Sequence, residues 1–181
     1  MSREKLYFMG DSIRLRLLIL AAVLIGAALV AGYLAIATIL KDFITERFDA
    51  EINAVSEGLM ASAVISDSGR LLTGSTPDDP RFSMPLSGWY WQIAQDGQVT
   101  AKSASLFDNV LTLPQEDFTG TTAHGPANQT LRVVRTSFTL PDSESMLSVA
   151  VSAPQTEIDL SLAQVRRPLA ISLVFLGVGL A

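Results

Sequence analysis

The residues able to do chemistry in this chain are few, and their spacing excludes most catalytic arrangements. Among 181 residues there is no cysteine and one histidine, His124. Neither a thiol nucleophile nor a histidine-rich metal cluster can therefore be assembled. His124 stands in Ala123-His124-Gly125-Pro126, a turn context that reads as a solvated loop position rather than a pH switch. The sequence holds no G-x-x-x-x-G-K-[ST] loop and no G-x-G-x-x-G, the glycine patterns that cradle phosphates. Serines occur without a base at recognisable spacing, and Asn128-Gln129-Thr130 matches a glycosylation sequon of a kind that arises often by chance. The reading is of a segment with no catalytic, cofactor-binding or metal-ligating residues of its own.

Two groups of side chains remain. Carboxylates cluster at Asp78-Asp79, Glu116-Asp117 and Asp142 with Glu144, each in a loop. Oxygen-rich loops can take divalent cations or bridge to anionic lipid head groups, but none follows a calcium-loop pattern, and ordinary solvated turns account for them. Trp89-Tyr90-Trp91 is the most unusual run. In a strand the two indoles point to one face and Tyr90 to the other. Asp78, Asp79, Arg81, Trp89, Tyr90 and Trp91 are thus the candidate surface for a signal or partner, whether a small ligand, a cation or a protein. The competing reading is that the tryptophans are core.

The elements that position these residues begin with hydrophobicity, which makes up 49% of the chain. Leu17–Leu40 is 24 residues without a charge. As a helix it would reach roughly 36 Å, enough for a hydrocarbon core of about 30 Å. A second uncharged run starts at Pro168 and continues to Ala181, so the sequence reads as cut inside a second span. A cleaved signal peptide is the rival for the first run, with Ala35-Ile36-Ala37 as a small-x-small site, but the run is much longer than a signal's apolar core. Arg3, Lys5, Arg14 and Arg16 precede the first span, favouring a cytoplasmic N-terminus.

Between the spans, residues 41–165 carry 16 acidic and 7 basic residues, a net charge of −9. That balance excludes a nucleic-acid footprint, which needs a basic surface, and the length suits one domain. The organisation expected is a cytoplasmic tail (1–16), transmembrane helix 1 (17–40), an extracytoplasmic domain (41–165) and the start of transmembrane helix 2 (166–181). Ile44, Phe48, Ile52, Val55 and Leu59 share one helix face, which extends the first span outward by about 15–20 residues. This stripe either packs on the domain's own sheet or, at Ile44, Phe48 and Ile52, forms a dimer seam. Asp96-Gly97 between Trp89–Gln95 and Gln98–Ser105 predicts a two-residue hairpin. Ala63–Ser66 reads as a short strand before an Asp67-Ser68-Gly69 turn. Thr130–Leu140 and Met146–Ser152 read as a second antiparallel pair, the latter with one face buried. A helix from Thr156 leads into the second span. The fold class expected is α+β, a PAS-like extracytoplasmic domain with a central antiparallel sheet flanked by two transmembrane helices.

Asp79-Pro80-Arg81-Phe82, Pro85 and Ser87-Gly88-Trp89-Tyr90-Trp91-Gln92-Ile93 resemble the sensor region of transmembrane two-component histidine kinases of alphaproteobacteria. So do Lys102-Ser103-Ala104-Ser105-Leu106-Phe107-Asp108, Leu111 and Leu113-Pro114, where Arg-Ser-x-Ser-Leu-Trp-Asp is usual in the family. Lys102 and Phe107 depart from it conservatively. The resemblance implies a PAS-like periplasmic domain, a homodimer in the inner membrane, and a response regulator reached through a cytoplasmic kinase part beyond Ala181. ATP and Mg are implied only for that part. An input module for a chemoreceptor or nucleotide cyclase, or a membrane-anchored binding protein without a kinase, stays open.

Overall fold

The computed structural model describes residues 7–65, 71–73, 77–140 and 145–180. Helix α1 runs unbroken from Tyr7 to Ser62. Neither Gly26 nor Gly58 stops it, since no Pro lies within and the flanking residues are mostly strong helix formers. The short strands β1 (Ala63–Ile65) and β2 (Leu71–Thr73) pair antiparallel; the Asp67-Ser68-Gly69 turn expected between them lies outside the described residues. There follow β3 (Tyr90–Gln95), β4 (Gln98–Lys102), β5 (Phe118–His124), β6 (Thr130–Thr139), β7 (Met146–Pro154) and the helix α2 (Gln155–Leu180). The protein is α+β, with a five-stranded antiparallel sheet in the order β4-β3-β7-β6-β5.

Two helices are long and apolar enough to cross a membrane, the stretches Ile13–Ser62 and Gln155–Gly177. Ile44–Leu160, which includes the C-terminal part of α1 and the first residues of α2, forms a compact unit of its own.

Within that unit the hairpin predicted from Asp96-Gly97 is present. Both residues have positive φ, 50° and 84°, the conformation a two-residue type I′ loop demands, and β3 pairs with β4 across it. β7 is central and lies between β3 and β6. The expectation that β7 buries one face is corrected: every residue from Leu147 to Ala153 is buried. Both sides of the sheet are covered. On one side Ile52 and Leu59 of α1 meet Trp91, Ile93, Val134, Val149 and Val151. On the other, Leu106 and Leu111 cover Tyr90, Leu131, Val133 and Ala150. β7 suits this double burial because its second face carries only Ser148, Ala150 and Ser152, which leave room for a covering loop.

Candidate functional site

The residues singled out around Trp89 are brought together by a short 3₁₀ turn, Pro80–Phe82. Asp79 caps it, accepting from the Arg81 backbone N–H at 2.9 Å, and Pro80 is preset for a first helical position. The turn aims the Arg81 guanidinium back at Asp79, where Nε and Nη2 donate to the carboxylate at 2.8 and 2.5 Å. Nη2 also reaches Glu51 of α1 at 2.5 Å. The guanidinium lies over an indole, its carbon 3.7 Å from the centre of the Trp89 ring, and Phe82 meets the same residue's ring edge-on at 6.0 Å. Trp89 Nε1 in turn donates to Glu157 Oε2 at 2.7 Å, in the first turn of α2. Hydrogen bonding from Arg81 holds the Asp79 carboxyl below its ordinary 3.8. The same pair holds the Arg81 guanidinium firmly protonated.

The serine-rich motif proves to be the support of this strand. Ser105 Oγ donates to the Trp89 carbonyl at 2.7 Å and lies 2.9 Å from Ser103 Oγ. Ser103 Oγ accepts from the Trp91 N–H, and both serines are buried. Gly88 has φ of 88°, and a Cβ there would lie 2.6 Å from the Pro154 side chain, so glycine is required where β3 begins beside the end of β7.

A second ion pair ties α1 to the sheet. Arg132 of β6 donates from Nε and Nη2 to Asp49 at 2.5 and 2.7 Å. This bidentate geometry raises the Arg132 pKa. Gly120, with φ of 67°, lets β5 pass beside the pair, since a Cβ would clash with the Arg132 guanidinium.

On the sheet face opposite α1 a cleft of about 120 Å³ opens beside Arg135, with Val99, Leu113, Gln115, Ser148 and Ala150 among its walls. Gln92 also lines it, but its amide is engaged: Nε2 donates to the Leu111 carbonyl and Oε1 accepts the Leu111 N–H, at 2.9 and 2.8 Å. Arg135 Nη1 donates to the Pro114 carbonyl, and Nη2 donates to Ser148 Oγ at 3.3 Å. Its Nε is buried without a partner.

Of the residues expected at a signal or partner surface, only part are placed so. Asp78 is exposed, while Asp79 and Arg81 pair with each other. Trp89, Tyr90 and Trp91 are 2%, 0% and 5% exposed. They are corrected from surface to core, because the sheet is covered on both faces; Trp91 belongs to the α1-side cluster and Tyr90 to the other. In the expected dimer seam, Ile44 is half-buried, Phe48 packs on the core and Ile52 is fully buried, so Ile52 has no surface to offer a second copy. His124 is exposed at the end of β5. Asp117 accepts from Ser137 Oγ at 2.7 Å, which lowers its pKa. Asp142 and Glu144 lie outside the described residues. Among the described residues no three His, Cys, Asp or Glu side chains are grouped to hold a metal ion. Sequence reasoning missed Glu51, Glu157 and Arg135. Their partners are distant in the chain, up to 68 positions away for Glu157 and Trp89, and only a β-strand register for Arg135 carried any signal.

Comparison with protein-family models, with curated proteins and with solved structures finds no match.

Proposed function

We propose that this chain is the signal-input module of a membrane sensor histidine kinase of a two-component system. In this reading the unit Ile44–Leu160 is a PAS-like periplasmic sensor domain, anchored in the inner membrane by the apolar stretches of α1 and α2. A periplasmic signal shifts the two helices relative to each other, and the output part, a homodimeric kinase using ATP and Mg, passes it to a response regulator. The observation that carries the reading is the joint hold on both helices inside the sensor unit. Glu51 of α1 and Glu157 of α2 are joined through Arg81 and Trp89, and both helices run on from that unit into apolar stretches. A ligand that favours one arrangement of this chain over another biases both helices at once, which is what a transmembrane switch requires.

The test is a chimera. Residues 1–181 are fused to the remaining part of the second span and the cytoplasmic part of a histidine kinase with a measurable reporter, and Arg81→Ala and Glu157→Gln are compared with the parent. The reading expects each variant to change basal output by at least about threefold at equal membrane abundance. Unchanged output from both would remove the basis for signalling through this connection. A periplasm-active reporter fused at Gly120 should be active, and a cytoplasm-only reporter there should be silent.

A further inference from the structure

Within the unit that holds the apolar parts of α1 and α2, the two helices wall an open groove of about 500 Å³. Its lining runs from Ala22 to Tyr33 on α1 and from Ala170 to Gly177 on α2. Every described residue in it except Tyr33 is apolar. A Cβ added at Gly26 would meet nothing within 4 Å, so there is open space beside it.

One end of this groove is basic. Arg166, Ala170, Leu173 and Gly177 follow at four- and three-residue spacing, which puts Arg166 on the stripe of α2 that lines the groove. Gly177 stands against α1, where a Cβ on it would lie 3.2 Å from Leu29 Cδ1. The two helices run in opposite directions, since α1 ends and α2 begins in the sensor unit. Arg166 is eleven residues nearer that unit than Gly177, a rise of about 16 Å, which brings it level with Leu40 and Lys41. Lys41, Arg166 and Arg167 are all exposed, at the border of the uncharged runs. Among the described residues none of the three forms an ion pair, whereas Arg81 and Arg132 do.

We propose that the groove and its basic end hold one anionic phospholipid of the outer leaflet. An acyl chain lies in the groove, and the head-group phosphate meets Arg166, Arg167 and Lys41. A methylene is close in size to a water molecule, which takes roughly 30 Å³, so the groove has room for on the order of fifteen methylenes, one chain. Guanidinium forks match phosphate oxygens in pairs. In the topology proposed above these cations stand on the extracytoplasmic side, where the charge rule for orientation calls for none. A second copy seated here would bring the same three cations and no counter-charge, so charge complementarity favours the lipid. The bound lipid bridges α1 and α2 where both leave the membrane, and so couples lipid composition to their relative position. That consequence rests on the signalling reading; the site itself rests only on the two helices crossing the membrane.

The experiment uses the chimera described above, built on a cysteine-free kinase part and purified in mild detergent. Native mass spectrometry follows lipid retention from equal amounts of phosphatidylglycerol and phosphatidylcholine with identical acyl chains. Phosphatidylglycerol should be retained over phosphatidylcholine by at least about fivefold, the factor that one basic group near an anionic head group is worth. Arg166→Gln with Arg167→Gln should bring the two lipids within about twofold of each other. Arg14→Gln with Arg16→Gln, at the far end of the first span, should leave the preference unchanged. Gly26→Leu should fill the groove and cut retention of both lipids at least about fivefold with the arginines intact. Excess sodium glycerophosphate should displace neither lipid. Far-ultraviolet circular dichroism establishes folding of each variant. Equal retention of both lipids, a preference that survives Arg166→Gln with Arg167→Gln or vanishes with Arg14→Gln and Arg16→Gln, retention unaltered by Gly26→Leu, or displacement by glycerophosphate would each overturn the site. Strong disulfide dimerisation through Gly26→Cys would also overturn it, by seating a second copy in the groove. Carbonate extraction of membranes checks the spans separately. Release of the chain would overturn the membrane reading and the site with it; a chain held in the membrane without lipid preference overturns the site alone.

Discussion

The guanidinium of Arg81 stacks 3.7 Å above the ring of Trp89, and the indole N–H beneath it is committed to Glu157. The indole is thus held on its face by a cation and on its edge by an anion. This arrangement suits its charge distribution, negative over the face and positive at the edge. Residues from α1, the Pro80–Phe82 turn, the start of β3 and α2 all meet at one aromatic ring.

Substitution at Arg81 should separate charge from shape. Its side chain is about one-third exposed, so solvent screening keeps each ion pair in the range of about 0.2–1 kcal/mol. Cation–π contact adds roughly 0.5–1 kcal/mol. Arg81→Ala should therefore lower stability by about 1–2 kcal/mol in urea unfolding. Arg81→Lys should restore little, because a single ammonium cannot bridge Asp79 and Glu51 while covering the ring.

Acid should weaken the same cluster. Asp79 and Asp117 both have carboxyls held below the ordinary 3.8, by Arg81 and by Ser137 respectively. A depressed carboxyl contributes stability above its unfolded pKa and loses it as pH falls through the folded value. Thermal midpoints should thus be flat from neutral pH down to about 4 as far as these groups act, then fall. Asp79→Asn should start lower and show a shallower fall below that point. An acid limb as steep as the parent's would assign it to other groups.

Ser105→Ala tests the buried serine pair. The hydroxyl donates to the Trp89 carbonyl at 2.7 Å and is fully buried. The Ser87 hydroxyl lies 3.2 Å from that carbonyl, but its single proton has a shorter bond to the Arg81 carbonyl at 2.7 Å, so removal of Ser105 Oγ takes away the shorter side-chain donor to the Trp89 carbonyl. A loss of about 1–2 kcal/mol follows, visible as a reduced urea midpoint at unchanged slope. Gly88→Ala should cost more, roughly 2 kcal/mol or above, since positive φ and the 2.6 Å approach to Pro154 act together.

Short-range chemistry was legible and long-range pairing was not. Asp96-Gly97 announces its hairpin because the turn's backbone angles depend on those two residues alone. The alternation of Trp89, Tyr90 and Trp91 correctly assigns them to opposite faces, and α1's stripe correctly includes Ile52 and Leu59. β5 escaped because Phe118–His124 contains Thr, Gly and Ala in place of alternating large apolar residues, as an edge strand with little burial allows. The double burial of β7 escaped because its small residues read as a polar face until the covering loop is seen. No local pattern links Glu51 or Glu157 to Trp89, nor places Arg135 beside the Pro114 carbonyl.

Cysteine crosslinking along α1 tests which face a second copy can reach. Ile52 is fully buried among Trp91, Val134 and Val149, Phe48 packs on the same cluster, and Asp49 is held by Arg132. The helix side turned away from this cluster carries Ala50, Ala54 and Glu57, all exposed and aligned by their three- and four-residue spacing. The chain has no native cysteine, so introduced thiols report without background. Ala50→Cys and Ala54→Cys should crosslink well above Ile52→Cys in membranes. Ile52→Cys should instead lower stability by about 1–3 kcal/mol through lost core volume. Equal yields all along α1 would indicate random collision, with no copy seated on this face. A maximum at Ile52 would mean that the sheet and α1 separate in the membrane-bound protein, and the packing that joins Glu51 to Trp89 would not be its resting arrangement.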